Sequence, residues 1–425
     1  RLSVDSLSMS TPGMEIAAAR VRGDVAMLPL LRGSAEVKTL ALAGAVVNLG
    51  TPDSALYMKS AIAVAALDNA SVGLISKKID IERLRARNGR VTMVLKPDTA
   101  AVEKPAGEPV EWDINLHQTV LEGVFYRMQM LPTIDDLQCA LPKAEMLDGS
   151  IDLKNSRINV DELLITGVDA RYIVPTPEFV KAHPAPVIPA DTAAVKSAPW
   201  LINARKLRLT GSHAVYATAG AVPMSGFDPE YIEASEISIS VDSFMNHGTA
   251  IRVPLTELKA RERCGVSLSA SGVFEMDSTA MYARRFSITT PASSIGLDAM
   301  MGLSAQNPPV KAALTVSLSP DDVKLLAPPA AQPIVAALPP YTPIEAEADI
   351  EGRMNNLEVR KLRAAIPRHV EVALQGNIAD YNDINAARGD LRLTGHITDG
   401  NFIKPTLLAA KMQKQVNIPP LNLLG

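Results

Sequence analysis

The chain has 425 residues, with 42 basic and 46 acidic side chains and only 4% aromatic residues. A balanced charge and few rings for stacking on bases argue against a nucleic-acid partner. No apolar run is long enough to cross a bilayer as a helix, and the length predicts two or three domains or one large β architecture.

The first 96 residues predict an N-terminal β segment, because short runs of alternating apolar and polar residues recur between glycines. Asn88 and Gly89 form a pair that is typical of a two-residue hairpin turn. We therefore expect a hairpin between strands over residues 79–84 and 91–95.

Two segments rich in proline and alanine interrupt this pattern, at residues 97–110 and 175–199. Proline removes a backbone donor from a sheet, so we expect both segments to be flexible loops outside the strands. The first segment separates the N-terminal β segment from a β repeat module over residues 111–174. The second separates this module from a central β-sheet module over residues 200–318.

The two segments also expose an internal repeat. Trp112 and Trp200, the only two tryptophans, follow them in the same local frame, W-x-I-N-x5-L-x-G. This recurrence predicts a repeated β module that adds strands to a growing sheet, with each tryptophan at the start of a strand.

The longest alternating run covers residues 264–276, with apolar side chains on even positions and mostly hydroxyl groups on odd positions. Since strand side chains point alternately to opposite faces, such a strand has one apolar face. The same alternation recurs near residues 237–241, 344–351, 370–378 and 391–397. One-sided strands in series predict a long, curved antiparallel sheet whose concave face is an apolar groove. The residues predicted to line this groove are Ile237, Ile239, Val241, Val266, Leu268, Ala270, Phe274, Ile344, Ile350, Val370, Val372, Leu374, Leu391 and Leu393.

One or two short helices complete the predicted mainly β fold. Ser319 and Pro320 are typical of a helix N-terminus, so we expect a short helix over residues 319–328. The remaining residues, 329–425, predict a C-terminal β segment with a final helix from Pro405 to Gln415.

The sequence shows no catalytic or cofactor-binding pattern. The six histidines lack paired metal-ligand spacing, and glycine-rich phosphate loops and nucleophile motifs are missing from the sequence. We therefore expect a protein that is not an enzyme and needs no metal or cofactor. Cys139 and Cys264 are far apart in sequence, and Cys264 is expected on the apolar face as a small hydrophobic residue.

The apolar strand faces allow two interpretations. Two sheets can close over them as a sandwich core, or one curved sheet can leave them open as a trough. The apolar positions hold small and medium aliphatic side chains with few aromatic rings, and the strands lack the regular turn spacing of a sandwich. These features favour the trough.

Several segments resemble TamB-type translocation and assembly proteins, which belong to the wider AsmA-like group. The ordered segments are residues 226–232 (GFDPEYI), 258–269 (LKARERCGVSLS) and 286–294 (FSITTPASS). Similar segments follow at residues 319–323 (SPDDV) and 374–393.

The resemblance is most specific over residues 199–325, and over residues 1–170 it rests on the general style of the β repeats. The N-terminal membrane anchor and the C-terminal domain of that family have no counterpart in these residues. We therefore expect an excised part of a longer chain that is anchored in the inner membrane by a helix preceding this part.

The resemblance implies a long, taco-like β-sheet in the periplasm of a two-membrane bacterium. Its groove would carry phospholipid acyl chains between the inner and outer membranes and support outer-membrane biogenesis, with an outer-membrane barrel protein of the assembly machinery as a further partner.

Two other functions fit the strand pattern. An assembly factor would bind strands of outer-membrane proteins at a sheet edge by β-augmentation. A passive structural β-domain would use its apolar faces only as a core. Phospholipid that co-purifies with the chain would separate lipid transport from the structural alternative.

Overall fold

The computed structural model describes residues 2–11, 13–26, 33–96, 111–131, 135–183, 199–303, 307–381 and 386–410. The fold is mainly β, as predicted, because strands contain 70% of the described residues and helices only 7%. The strands are β1 (Leu2–Thr11), β2 (Met14–Ala26), β3 (Ser34–Leu49), β4 (Leu56–Gly73), β5 (Lys78–Leu95), β6 (Asp113–Met130), β7 (Asp135–Asp152), β8 (Arg157–Thr166), β9 (Asp169–Val174), β10 (Leu201–Thr218), β11 (Tyr231–His247), β12 (Ala250–Glu262), β13 (Ser267–Met276), β14 (Ala280–Thr289), β15 (Ser294–Gly302), β16 (Pro309–Leu318), β17 (Ile344–Arg353), β18 (Asn356–Ile366), β19 (Val370–Ala379) and β20 (Arg388–Ile397). The helices are α1 (Pro177–Ala182), α2 (Pro320–Leu326), α3 (Gln332–Ala336) and α4 (Ile403–Ala409).

The chain divides into two compact units. Unit 1 contains residues 1–221 and 230–257, and unit 2 contains residues 222–229 and 258–425. Unit 1 therefore holds β1 to β11 and most of β12, and unit 2 holds β13 to β20 with α2, α3 and α4.

In unit 1 the strands from β1 to β7 pair in chain order, β7 pairs with both β8 and β9, and β10 joins these two short strands to β11. Most pairs are antiparallel, as predicted. The exceptions are β5 with β6, and β10 with β8 and β9, which are parallel.

The parallel pairs explain the two proline-rich segments. Parallel neighbours need a long crossover rather than a tight turn, and the chain passes through residues 97–110 between β5 and β6 and through residues 175–199 between β9 and β10. Residues 97–110 and 184–198 lie outside the described residues. The prediction of a loop throughout residues 175–199 was wrong at its start, because Pro177 at the first helical position and the Thr176 hydroxyl, which accepts a hydrogen bond from Phe179 N, begin helix α1.

Two transverse rows interrupt the hydrogen-bonded ladders of unit 1. We call them the first and second break rows, and they lie four and ten residues from the same end in each 18-residue strand from β4 to β7 and in β10. The first break row contains Lys38, Asn69, Glu82, His117, Asp148, Asp161, Arg205 and Ser243. The second break row contains Ser6, Ala19, Gly44, Ala63, Asn88, Gly123, Pro142, Gly167 and Gly211.

The second break row overturns the predicted hairpin at Asn88-Gly89. β5 runs without a turn from Lys78 to Leu95, and Asn88 instead takes a positive φ of 53° inside the strand. Asparagine tolerates this left-handed conformation better than most residues. The glycines of the tryptophan repeat, Gly123 and Gly211, have φ of 63° and 60° in the same row, so both copies of the repeat mark the same structural position.

Unit 2 is a regular antiparallel meander in which β13 to β20 pair in chain order. The strand predicted over residues 264–276 begins three residues later, at Ser267, because Cys264 and Gly265 belong to the turn after β12. Gly265 takes a φ of 99°, and Cys264 N donates a hydrogen bond to the Glu262 carboxylate within this turn. Cys264 therefore does not lie on the strand face where it was expected.

A buried polar cluster joins helix α2 to the β14–β15 turn. The buried carboxylate of Asp322 accepts hydrogen bonds from the hydroxyl groups of Thr290 and Ser293, and Ser293 Oγ accepts one from Ser319 N. The Ser319 hydroxyl accepts from Asp321 N, so the predicted N-terminus of this helix is correct.

The final predicted helix is also present, but it begins earlier. Helix α4 starts at Ile403 rather than Pro405, and Phe402 before it contacts the His369 ring edge-on, with 5.9 Å between the ring centroids. Residues 411–415 of the predicted helix lie outside the described residues. With α1 and α3, the described residues contain four helices instead of the expected one or two.

Candidate functional site

Unit 2 has one continuous apolar sheet face. Residues that lie directly opposite each other in adjacent strands share a face, so the strand register connects apolar side chains into transverse rows. The first row contains Phe286, Leu297, Leu314, Ala348, Leu362, Leu374 and Leu393. The second contains Ala270, Ile288, Ile295, Val316, Ala346, Ala364 and Val372. The third contains Phe274, Ala283, Ala299, Ala312, Ile350, Val359, Gly376 and Leu391.

All of the predicted groove residues of unit 2 except Val266 fall on this face. Leu268 lies two residues before Ala270 in the same strand, and Ile344 and Val370 continue the pattern at the strand ends next to α2 and α4. Val266 is buried in the turn before β13 and so lies outside the strand rows.

The apolar face is not a closed core. A sandwich would cover its inward side chains with a second sheet, but Phe274, Val372 and Leu391 remain exposed, and Leu393 is 67% exposed. Among the described residues of the chain, 16 hydrophobic residues are buried and ten of these are alanines. Apart from Ile366, the leucine, isoleucine and methionine side chains of the described residues are therefore at least partly exposed to solvent.

The opposite face of unit 2 is charged, as the alternation predicts. Arg363 on β18 binds Glu345 on β17 and Glu371 on β19, and Lys361 binds Glu347. The pKa of Glu347 is lowered by its hydrogen bond to Lys361, and the pKa of Glu371 is lowered by its hydrogen bond to Arg363. These pairs are solvent-exposed and screened, so they favour the register more than they stabilise the fold.

A shallow hollow of about 440 Å³ lies over the β15–β17 region of unit 2, partly on this charged face. Its lining includes Asp298, Ala313, Asp349 and Lys361. Charges of both signs surround it, and no histidine or cysteine is among its lining residues. The hollow has no arrangement typical of a catalytic site.

Unit 1 also carries an apolar face, but the spacing of its residues differs. In β5 the apolar positions are Ile79 and Ile81 before the first break row, Leu84 and Ala86 between the rows, and Gly89 after the second. Each break row thus inserts a spacing of three into a period of two. Apolar residues between the break rows still pair with apolar residues of the neighbouring strands, since Leu84 lies opposite Leu67, and Leu163 lies opposite both Met146 and Leu207.

The three predicted groove residues of unit 1 lie on β11. Ile239 lies opposite Leu209, and Val241 lies opposite Leu207, so both join the apolar face. Ile237 lies opposite Ser212 next to a register shift. Residues 237–241 are thus brought together with apolar residues of β10 that the prediction did not include.

The prediction also missed residues with a readable signal. On β16, Val310, Ala312, Leu314 and Val316 alternate with polar or small neighbours and extend the apolar face between β15 and β17. A search of the sequence for strict alternation of apolar and polar residues would identify this strand. It does not find most strands of unit 1, because the break rows change the period within each strand.

The described residues contain no group of three or more histidine, cysteine, aspartate or glutamate side chains placed to hold a metal ion. Cys139 and Cys264 are free thiols, and burial raises the pKa of both. None of the helices in the described ranges is long and apolar enough to span a membrane. Comparison with models of protein families, with curated proteins and with solved structures finds no match.

Proposed function

We propose that this chain is a periplasmic segment of a TamB-like, AsmA-like protein that carries phospholipid acyl chains along its apolar sheet faces between the inner and outer membranes. The observation that carries the proposal is the apolar face of unit 2, which crosses seven or more strands without a charged residue in its three central rows and stays partly open to solvent.

The physical basis is the removal of hydrocarbon from water. Each acyl CH₂ group that leaves water contributes about 0.8 kcal/mol, so a row of half-exposed leucine and isoleucine side chains binds an alkyl chain along its length. Such binding needs orientation and shielding but no covalent chemistry. A charged opposite face keeps the sheet soluble while the apolar face is loaded.

The test is mass spectrometry of organic extracts from the purified chain. We expect phospholipid in an amount comparable to the protein, and displacement of a fluorescent fatty acid by added phospholipid. A chain that is folded and free of lipid, and that does not bind the fluorescent fatty acid, would contradict the proposal.

A second candidate function is strand addition to a partner, which is favoured by the edge strand of unit 2. Among the described strands β20 pairs only with β19, and nine of its ten residues are exposed. An edge strand of this kind presents unpaired backbone groups to a partner strand. Thr394→Pro and Gly395→Pro, which each remove one backbone donor, would test it, because one of two successive N–H groups points away from β19. Loss of partner-strand binding in one of the two variants, with lipid binding retained, would support strand addition.

A further inference from the structure

Both tryptophans of the chain end the apolar face of unit 1 at the same rim. The strand ends are aligned, because Lys78 lies opposite Asp113, and Leu201 lies opposite Arg157. One residue beyond this alignment, Leu153 N donates a backbone hydrogen bond to Trp112 O. The same register brings six residues into one transverse row, which are Leu74, Lys77, Trp112, Leu153, Ser156 and Trp200.

The rim belongs to the apolar face rather than the polar one. Trp112 precedes Ile114 by two residues, and Trp200 precedes Ile202 by two residues, so each tryptophan shares a face with its isoleucine. Ile114 and Ile202 both pair into a transverse row of aliphatic residues. This row contains Val72, Ile79, Ile114, Ile151, Ile158 and Ile202.

The rim side chains are unusually exposed for their size. Ile75 in the β4–β5 turn is 82% exposed, Leu74 is 48% exposed and Trp200 is 42% exposed. Single exposed apolar residues are ordinary, but several large ones along one rim indicate an interaction surface.

Basic residues accompany the apolar rim. The Lys77 ammonium lies 5.4 Å from the centroid of the Trp112 ring, Lys78 follows it at the start of β5, and Lys154 lies in the β7–β8 turn 3.0 Å from Glu111. Tryptophan and lysine together are typical of surfaces that sit at the boundary between lipid headgroups and acyl chains.

We propose that this tryptophan rim (Leu74, Ile75, Lys77, Trp112 and Trp200) rests on the surface of a lipid bilayer. The rim lies at the end of the apolar face, so acyl chains can move sideways between unit 1 and a bilayer in contact with the rim. The sideways exchange rests on the proposed lipid-carrying function, whereas the contact with the bilayer does not.

The two tryptophans supply the readout, because their fluorescence reports on this rim alone. On mixing the chain with vesicles of phosphatidylcholine and phosphatidylglycerol, we expect a blue shift of the emission, and quenching when the acyl chains are brominated. The double variant Leu74→Ser, Ile75→Ser should bind the vesicles about tenfold more weakly or worse, since it removes two large aliphatic side chains from the contact.

A matched control lies at the other end of the same strand. Leu56 begins β4 and is 44% exposed, so Leu56→Ser removes a similar side chain from the opposite rim and should leave vesicle binding unchanged. Circular dichroism and thermal unfolding of each variant would establish that the sheet is intact.

Three results would overturn the proposal: unchanged tryptophan emission with vesicles, equal loss of binding in the Leu56→Ser variant, or rim tryptophans that respond to a protein partner and not to lipid. Failure of the lipid-carrying function is distinguishable, because a chain without bound phospholipid that still shows quenching by brominated vesicles would retain the rim and lose only the cargo.

Discussion

Gly272 on β13 lies against the backbone of Phe286 on β14, at the point where the two strands change register. A Cβ atom at position 272 would lie 2.7 Å from Phe286 Cα and 2.7 Å from its ring atom Cδ2. Gly272 also has a φ of 147°, which side chains disfavour. Phe286 lies at this register shift and belongs to the first apolar row of unit 2.

Gly272→Ala should therefore destabilise unit 2 by about 2–4 kcal/mol, because backbone strain and a steric clash with main-chain atoms add. Gly265→Ala is the matched control, since Gly265 has a φ of 99° but an added Cβ would meet no atom within 4 Å. It should cost about 1 kcal/mol. Urea unfolding of both variants measures the difference, and equal losses would show that the Phe286 contact contributes nothing.

A charge placed on the apolar face should abolish lipid binding without unfolding the chain. Ala312 lies in the apolar row between Ala299 and Ile350, and Ala313, its neighbour, lies between Asp298 and Asp349 on the charged face. In Ala312→Arg the guanidinium can extend to water along its aliphatic stem, so the protein should fold and carry little phospholipid. Ala313→Arg changes the same residue type on the other face and should leave lipid content unchanged.

Mass spectrometry of extracted lipid together with thermal unfolding separates the open face from a closed core. In a closed core, Ala312→Arg would bury an unpaired charge and unfold the domain. An unfolded Ala312→Arg variant would therefore argue for a core, and a folded variant with normal lipid content would exclude this row from the lipid path.

The Asp322 cluster should stabilise unit 2 through its hydrogen bonds. Asp322→Ala leaves the hydroxyl groups of Thr290 and Ser293 without their acceptor, which should cost about 1–3 kcal/mol. Asp321→Ala in the same helix turn removes an exposed carboxylate that lies 3.6 Å from Lys324 and should cost less than about 0.5 kcal/mol. Comparable melting temperatures of the two variants would contradict a structural role for the cluster.

The stability of unit 1 should fall as the pH rises above the ordinary histidine pKa near 6.5. His213 on β10 bridges Asp169 on β9 and Glu233 on β11, at 2.8 and 3.2 Å, and the hydrogen bond to Asp169 raises the pKa of its imidazole above the ordinary value near 6.5. A histidine with a higher pKa in the folded state than in the unfolded state stabilises the fold fully at pH values below its unfolded pKa. This stabilisation is lost as the pH rises through its folded pKa. His117, whose pKa is raised chiefly by Asp148, acts with the same sign.

Urea unfolding between about pH 5.5 and 8.5 measures this dependence. His213→Gln should be less stable than the parent at the acidic end and should approach the parent at the alkaline end. The double variant with His117→Gln should flatten the profile further. A parent chain whose stability rises over this range would contradict the assignment.

Much of unit 2 follows directly from its sequence. On β17, Ile344, Ala346, Ala348 and Ile350 alternate with acidic residues, and every one of the four faces the apolar rows. The register confirms this because no break occurs until Ile350. The alternation in such a strand identifies its apolar face directly, although the start of β13 was misplaced because a glycine turn precedes it.

The strands of unit 1 could not be predicted in the same way, because the break rows interrupt their period of two with spacings of three. The pair Asn88-Gly89 carries the strongest local turn signal in the segment, yet Asn88 uses its tolerance of positive φ to bend a strand rather than to reverse it. Its neighbour in the same row is Gly123, which also has a positive φ. That neighbour is supplied by a parallel crossover, which local sequence does not reveal. The tryptophan repeat did locate both strand starts.

The two break rows have a consequence for how such a sheet varies in size. Since they stand four and ten residues from the same strand end in β4 through β7 and in β10, the cross-section of unit 1 is set within each strand and does not depend on the number of strands. Duplicating a pair of strands lengthens the sheet and leaves its profile unchanged. Deleting one residue within a strand instead moves every side chain on one side of the deletion to the opposite face. The sheet can therefore lengthen by whole strands, while the positions of the breaks within each strand stay fixed.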